Sequence, residues 1–414
     1  MPTTVAAPPT NRVRVDRRRF LAALDRVRAV VPARFPKPIL TGVRLEASDG
    51  HLYLAATDGE MKLFTQVGAE GYLPPCVASC AELVRRVKAS KGAACTLAVR
   101  TRPTRLLVNG GRVEHTLPCM PAEDFPPIPD CHAGQTVTLD AREFRTALAA
   151  TRHAVAREPS RYAIDGILLE SDTDGLRLVA TDGRRLAVAV LNRRTTEFEG
   201  QVIVPARVTK LIEKLSADQG GQLLVAVSPN QSDNGERRPA DIFVVGHDWV
   251  LSSAEIDGRF PAYRDVMPAG QSKFVVARQP LIETLSEVAL AASCDANAVH
   301  VDLTPRRIQL WAASAELGNA TAKLPARFIG GGDGTIHTGF NPAYLLDALK
   351  ALDADRIVID VGQNACGCDG QVYGKPATLY AYGDEATRCV VMPVNAGLAA
   401  TRENLGSNFR EEAA

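Results

Sequence analysis

The stretch Val179-Ala180-Thr181-Asp182-Gly183-Arg184-Arg185-Leu186-Ala187-Val188 constrains this chain most. An apolar run enters it, Asp182-Gly183 turns it, and an alternating apolar run leaves. Asp-Gly accepts the positive φ that a tight turn between antiparallel strands needs. A near copy, Leu54-Ala55-Ala56-Thr57-Asp58-Gly59-Glu60-Met61, stands 124 residues earlier. A turn that recurs at domain-length spacing marks a chain built by repeating a large unit.

The helical pattern repeats as well. Phe20, Leu24, Val27 and Val31 form an i, i+4, i+7, i+11 stripe that predicts a helix from Arg17 to about Val31, after a strand at Val13–Val15. The stripe returns at Phe144, Leu148, Thr151 and Val155, and again at Leu281, Leu285, Val288 and Ala292. Alternating strand pairs follow each copy: 42–47 with 51–56, 166–170 with 176–180, and 299–303 with 308–312. The first two pairs turn through Asp49-Gly50 and Asp174-Gly175.

A second helix then carries Leu83, Val84 and Val87, next Leu211, Ile212 and Leu215, next Leu345, Leu346 and Leu349. Pro205 and Asn341-Pro342 suit the starts of the last two. Each unit reads as two helices and about eight strands, an α+β layered unit made three times. The proline-rich segment 118–134 and the segment 267–272 separate the units. Boundaries fall at 13–134, 135–270 and 271–394, with a flexible lead at 1–12 and a flexible tail at 395–414.

Composition sets bounds. The chain has 414 residues, 46% apolar and 23% charged, an ordinary soluble mix with room for several cores. No apolar run reaches the roughly 18 residues of a membrane span. Met1–Thr10 lacks the apolar core of a secretory signal, which suggests a cytoplasmic protein. Nine cysteines show no disulfide framework; Cys76 with Cys80 and Cys366 with Cys368 are the only close pairs, and buried thiols explain them better than zinc. Net charge is +1, yet residues 12–37 hold eight arginines and one lysine against two aspartates, a local basic face suited to nucleic acid or to plain solvation.

Three such units, Ala180–Val188, Asp257-Gly258-Arg259-Phe260-Pro261-Ala262-Tyr263-Arg264, Pro121-Ala122-Glu123-Asp124-Phe125-Pro126 and the closing Val390-Val391-Met392-Pro393 resemble the bacterial DNA polymerase III β subunit family, the sliding clamps. The resemblance covers about Val13 to Val394. It implies three clamp domains per chain and a head-to-tail homodimer closed into a six-domain ring. Helices would line the hole, antiparallel sheets would lie outside, and duplex DNA would pass through irrespective of sequence. It implies no catalysis and no cofactor. It also implies a cleft between the second and third domains for Gln-Leu-x-Leu-Phe-like segments of polymerase subunits, the clamp loader and repair proteins.

Carried over by motif, the cleft comprises Ile164, Thr181, Gly183, Arg185, Leu186, Pro261, Val266, Val390, Met392, Pro393 and Val394. The resemblance assigns DNA contact to Arg34, Arg157, Arg161, Tyr162 and Arg207. It assigns the ring interface to His115 and Leu117 on one side and Leu290 and Ala291 on the other. Departures stand out. Asp265 replaces a common arginine, Arg184 a frequent histidine, Val394 a methionine and Asn395 a frequent arginine, and His115 replaces a larger apolar residue.

Two other classes compete. A divergent paralogue would serve as a protein-interaction scaffold without loading onto DNA. Asp58 and Asp182 could form an acid pair, but the third unit has Ala313-Ser314-Ala315 there, and Thr-Asp-Gly is turn chemistry. The seven histidines show no ligand spacing, and neither a phosphate loop nor a nucleophile elbow is present.

Overall fold

The computed structural model describes residues 11–394 apart from 102–103, 128–134, 159, 173–174, 192–198, 218–219, 229–238, 269–271, 293–296, 315, 332–333, 363–364, 367–371 and 374. The expected lead up to Thr10, the tail with Asn395, and Asp174 and Cys368 lie outside the described residues.

Among those residues the chain alternates strands with six α-helices: α1 (Arg17–Val27), α2 (Cys80–Ala89), α3 (Ala141–Thr151), α4 (Ala206–Leu215), α5 (Arg278–Val288) and α6 (Pro342–Ala351). Each of the three repeats contributes two. Their starts follow from the sequence. The Asp16 carboxylate accepts from the Arg19 amide at 2.9 Å and caps α1; Ser79 caps α2, and Asn341 with Pro342 opens α6. Phe20, Leu24 and Val27 are buried as the stripe requires.

The stripe overruns the helix, however. In all three copies the last member lies beyond the helix end and the residue before it is buried, Val30, Ala154 and Ala291; in the second copy the last member, Val155, is buried too. A tight i→i+3 turn follows each helix, so the 3.6-residue phase is lost there. Ala291 and Leu117, expected at the ring interface, are 5% and 1% exposed in the single chain.

The strands gather into two compact units, each built on one continuous twelve-stranded antiparallel sheet. In the first the spatial order is Arg12–Asp16, Ala94–Thr101, Thr104–Asn109, Glu114–Pro121, Leu73–Ser79, Gly42–Ser48, His51–Thr57, Met61–Gly71, Trp249–Ala254, Asp241–Val245, Gln222–Val227 and Gln135–Asp140. In the second it is Gly200–Pro205, Gly166–Asp172, Gly175–Thr181, Arg185–Leu191, Asp384–Val391, Ala377–Ala381, Arg356–Val361, Ser272–Ala277, Gly318–Gly331, Arg307–Ser314, Val299–Thr304 and Ile336–Phe340. The middle repeat therefore gives four strands to each sheet.

Neighbouring repeats are joined by backbone hydrogen bonds. Met61–Thr65, after the first Thr-Asp-Gly turn, pairs with Trp249–Ser253, the last strand of the second repeat. Arg185–Ala189, after the second turn, pairs with Thr387–Val391, the last strand of the third.

The Thr-Asp-Gly turns satisfy themselves. The Asp58 carboxylate accepts from the amides of Glu60 and Met61, and Asp182 accepts from Arg184 and Arg185; the hydroxyls of Thr57 and Thr181 donate across the turn to the carbonyls of Met61 and Arg185. Gly59 and Gly183 hold φ of 99° and 82°, where a Cβ would strain the backbone. These aspartates are thus engaged as turn builders.

Phe20 is wholly buried under α1. Phe20→Ala should lower unfolding stability by about 3–5 kcal/mol, read as a fall in urea midpoint with an unchanged slope.

Candidate functional site

The seam where Arg185–Ala189 meets Thr387–Val391 carries an open groove of about 840 Å³. Nine of the eleven expected cleft residues line it: Ile164, Thr181, Gly183, Arg185, Leu186, Pro261, Val266, Val390 and Met392. Pro393 and Val394 do not. They bridge instead to the end of Ile336–Phe340, Pro393 against Phe340 and the Val394 amide onto the Gly339 carbonyl at 2.9 Å. Their place is to close the third repeat's strands. The rim exposes apolar surface, with Val266 at 60% and Met392 at 41%, and Tyr162 beside them. Three exposed apolar side chains around one groove mark a docking surface rather than scattered chance.

Arg157, Arg161 and Tyr162, expected at DNA, line this same groove. Arg161 lies over the Tyr162 ring at 4.9 Å. Arg34 is exposed in the segment between α1 and the following 3₁₀ turn. Arg207, at the start of α4, is held by Asp58 at 3.1 Å and by Glu60. His115 is half-buried on its strand, and Leu290 stands 78% exposed after α5.

The groove floor is set by an ion triad. The Arg185 side chain, 6% exposed, donates from Nε to Asp182 at 2.9 Å and from Nη1 to Asp347 at 2.7 Å, and its guanidinium stacks on Tyr344 at 4.6 Å. A planar five-donor fork serves two carboxylates and a ring at once, which lysine could not do. The triad pins α6 of the third repeat to the turn of the second. Beneath it, burial and then the charge of Arg185 push the His153 imidazole down to about 4. On the far wall the Tyr263 hydroxyl donates to Glu170, and Arg264 spans Glu170 and Asp172 at 2.8 Å each, fixing the loop that presents Pro261 and Val266.

Sequence reasoning missed Tyr344, Asp347 and Tyr263. The first two are polar members of a helix whose visible signal was Leu345 and Leu349. Only the fold shows that they cross the seam.

The first unit has a counterpart seam with a much smaller hollow, lined by Ala55, Thr57, Lys62, Phe64, Phe125 and Ser252, among others. Aligned by strand register, Lys62 stands where Leu186 does and Ser252 where Val390 does. Among the described residues the repeat thus makes two internal seams, and the apolar groove lies at the second.

Three family profiles match the chain in order: DNA polymerase III beta subunit, N-terminal domain, over residues 12–129; central domain over 138–262; and C-terminal domain over 264–395. The chain belongs to the DNA polymerase III beta subunit family. It is similar to the beta sliding clamp of Pseudomonas putida, 27% identical over 92% of this chain and 98% of that one. Its identity to the beta sliding clamp of Escherichia coli K12 is 28%, over 83% and 91%. Among solved structures it resembles the DNA polymerase III subunit beta of Pseudomonas aeruginosa, with a TM-score of 0.81 at 25% identity, covering 93% of this chain and 100% of that chain. It also resembles a sliding clamp of Bartonella birtlesii bound to griselimycin, with a TM-score of 0.80 at 26% identity, covering 93% and 99%. The three clamp domains and the α+β architecture are those of this family.

Arg185→Met should destabilise the second unit by about 2 kcal/mol. That is below the roughly 3–5 of a fully buried pair, because Asp347 reaches solvent; urea unfolding measures it. His153 adds an acid limb. The unfolded chain protonates this residue below about 6.5, whereas the folded chain resists until about 4. Its contribution is complete above 6.5 and is lost as pH falls toward 4. His153→Asn should flatten that part of a melting-temperature profile between pH 4 and 7.

Proposed function

We propose that this chain is a non-catalytic DNA polymerase processivity clamp, a homodimeric ring around duplex DNA that tethers partners through the groove at Leu186 and Val390. The observation that carries the reading is the seam made twice and left open once. The strand after the turn in repeats one and two is paired with the last strand of the next repeat. In repeat three the equivalent segment, 318–325, pairs only with Arg307–Ser314 among the described residues. The last strand of repeat one is likewise open, with 114–118 pairing only with 105–109. Two unmatched edges of matching kind in each chain are satisfied when two copies join head to tail.

The two internal registers extend to this third seam. They set Gly318 opposite Leu117, Asn319 opposite Thr116, Ala320 opposite His115 and Thr321 opposite Glu114. Leu290 occupies the position held by His153 at the internal seam, so its exposed side chain has a burial site in the ring. The clamp domains are 13–134, 135–270 and 271–394.

A closed ring holds DNA by topology and needs only a mildly basic lining. A tether of six to ten phosphate contacts would lose roughly 10³–10⁵ in affinity between about 50 and 200 mM salt. Arg34 and the exposed cations of α1 supply phosphate contacts without reading bases. Arg157, Arg161 and Tyr162 serve at the groove rim, where DNA and partner segments meet. The compartment is cytoplasmic.

Oxidised Ala320→Cys/His115→Cys protein should run as a covalent dimer on non-reducing gels. Leu290→Asp should sediment as a folded monomer. Loaded protein should stay on nicked circular DNA through a salt wash and leave on linearisation. Retention that ignores linearisation would sink the ring, and failure to load at all would favour the scaffold paralogue. A labelled Gln-Leu-x-Leu-Phe-type peptide should bind with micromolar affinity, weakened at least tenfold by Val266→Asp/Met392→Asp. Both residues are exposed, so the fold survives.

A further inference from the structure

We propose that residues 395–414 of this chain are an occupant of its own groove, competing in cis with partner segments. The inference rests on the peptide-groove reading. The groove wall and the segment are neighbours in the chain. Met392 lines the groove, and Val394 is held on Gly339 at 2.9 Å, so the segment departs two residues beyond the wall.

Its sequence, Asn-Ala-Gly-Leu-Ala-Ala-Thr-Arg-Glu-Asn-Leu-Gly-Ser-Asn-Phe-Arg-Glu-Glu-Ala-Ala, is polar and small apart from Leu398, Leu405 and Phe409. Leu405 and Phe409 supply two large apolar anchors for a floor of Leu186 and Val390 and a rim of Val266 and Met392. Glu411-Glu412 follow after Arg410. Arg157, Arg161 and Arg184 stand exposed at the groove with no ion pair among the described residues, against one exposed carboxylate, Glu158.

The linker has the reach. The ten residues 395–404 can span at most about 33–36 Å, enough to bring Leu405 back to the groove wall. A tether this short gives an effective concentration of order millimolar. Two anchors with an intrinsic dissociation constant of about 0.1–1 mM would then fill the groove half the time or more. The apparent affinity of any partner segment would fall about 2–10-fold, since only the empty fraction competes.

The test compares the full chain with a chain ending at Val394, both titrated with a labelled Gln-Leu-x-Leu-Phe-type peptide by fluorescence anisotropy. The truncated chain should bind 2–10-fold more tightly, and Leu405→Ala/Phe409→Ala in the full chain should reproduce the gain. A synthetic peptide of residues 398–414 should displace the label from the truncated chain. Equal affinities for all three proteins would overturn the proposal while leaving the groove intact. A gain that grows with protein concentration would overturn the cis form in favour of a second copy's segment. Absence of label binding to the truncated chain is a different failure, that of the groove itself.

Discussion

The structure depends on backbone pairing across repeats. Side-chain packing alone would leave each repeat with two sheet edges facing water. Pairing Arg185–Ala189 with Thr387–Val391 merges the sheets of adjacent repeats into one. Every further feature of the site follows from that merger. Leu186 and Val390 become direct cross-strand neighbours, and their side chains form one apolar floor from parts of the chain two hundred residues apart. The Arg185 triad then locks the register from the side. A one-residue slip would turn both floor residues to the opposite face and pull Arg185 from Asp347. The groove is thus as specific as the seam is, and it requires no moving part.

The comparison of the two internal seams shows what function adds to fold. Both have the turn, the edge pairing and a Phe-Pro segment beside them, Phe125-Pro126 in one and Phe260-Pro261 in the other. The first seam puts Lys62 and Ser252 at its floor and ties Asp58 and Glu60 to Arg207 from outside. An ammonium at the floor rejects apolar anchors, because burying it unpaired costs several kcal/mol. The second seam has two aliphatic side chains there, and its arginine is neutralised from below by Asp182 and Asp347. Triplication supplied the joint, and a handful of substitutions turned one joint into a binding surface.

The repeated elements were legible in the sequence, because they rest on local rules. Stripes at Phe20, Phe144 and Leu281, the Asp-Gly turns, and the capping of α1 and α6 each follow from spacing and residue type. Most of the groove was legible too, through motifs that match a known family. The missing parts are all long-range. Tyr344 and Asp347 look like any helical surface residues until α6 is set against a turn from another repeat. Leu117 and Ala291 match the family's interface positions and are already buried within the chain, because a side chain's face depends on the twist of its strand or on the tight turn before it. Arg157, Arg161 and Tyr162 line the groove as well, which the sequence did not show. One loop can border two surfaces, and sequence spacing does not show the second.

Charge follows the same economy. A ring that retains DNA by closure has no use for a strongly basic surface, which would slow sliding and collect wrong ligands. With a net charge of +1, the chain keeps its basic residues local. Several of them are committed to structure: Arg26 to Asp248, Arg207 to Asp58 and Glu60, and Arg185 to Asp182 and Asp347. All but Arg185–Asp182 join different repeats, so they set the geometry of the joints rather than an attraction for phosphate. Exposed arginines stand at the groove and near α1, and others, such as Arg112, Arg142 and Arg356, lie elsewhere on the surface. A nearly neutral chain with a few mobile cations at the groove and near α1 grips by shape and tunes by charge. In the proposed ring, closure would set the lifetime on DNA, and the groove would be left to decide which partner stays with it.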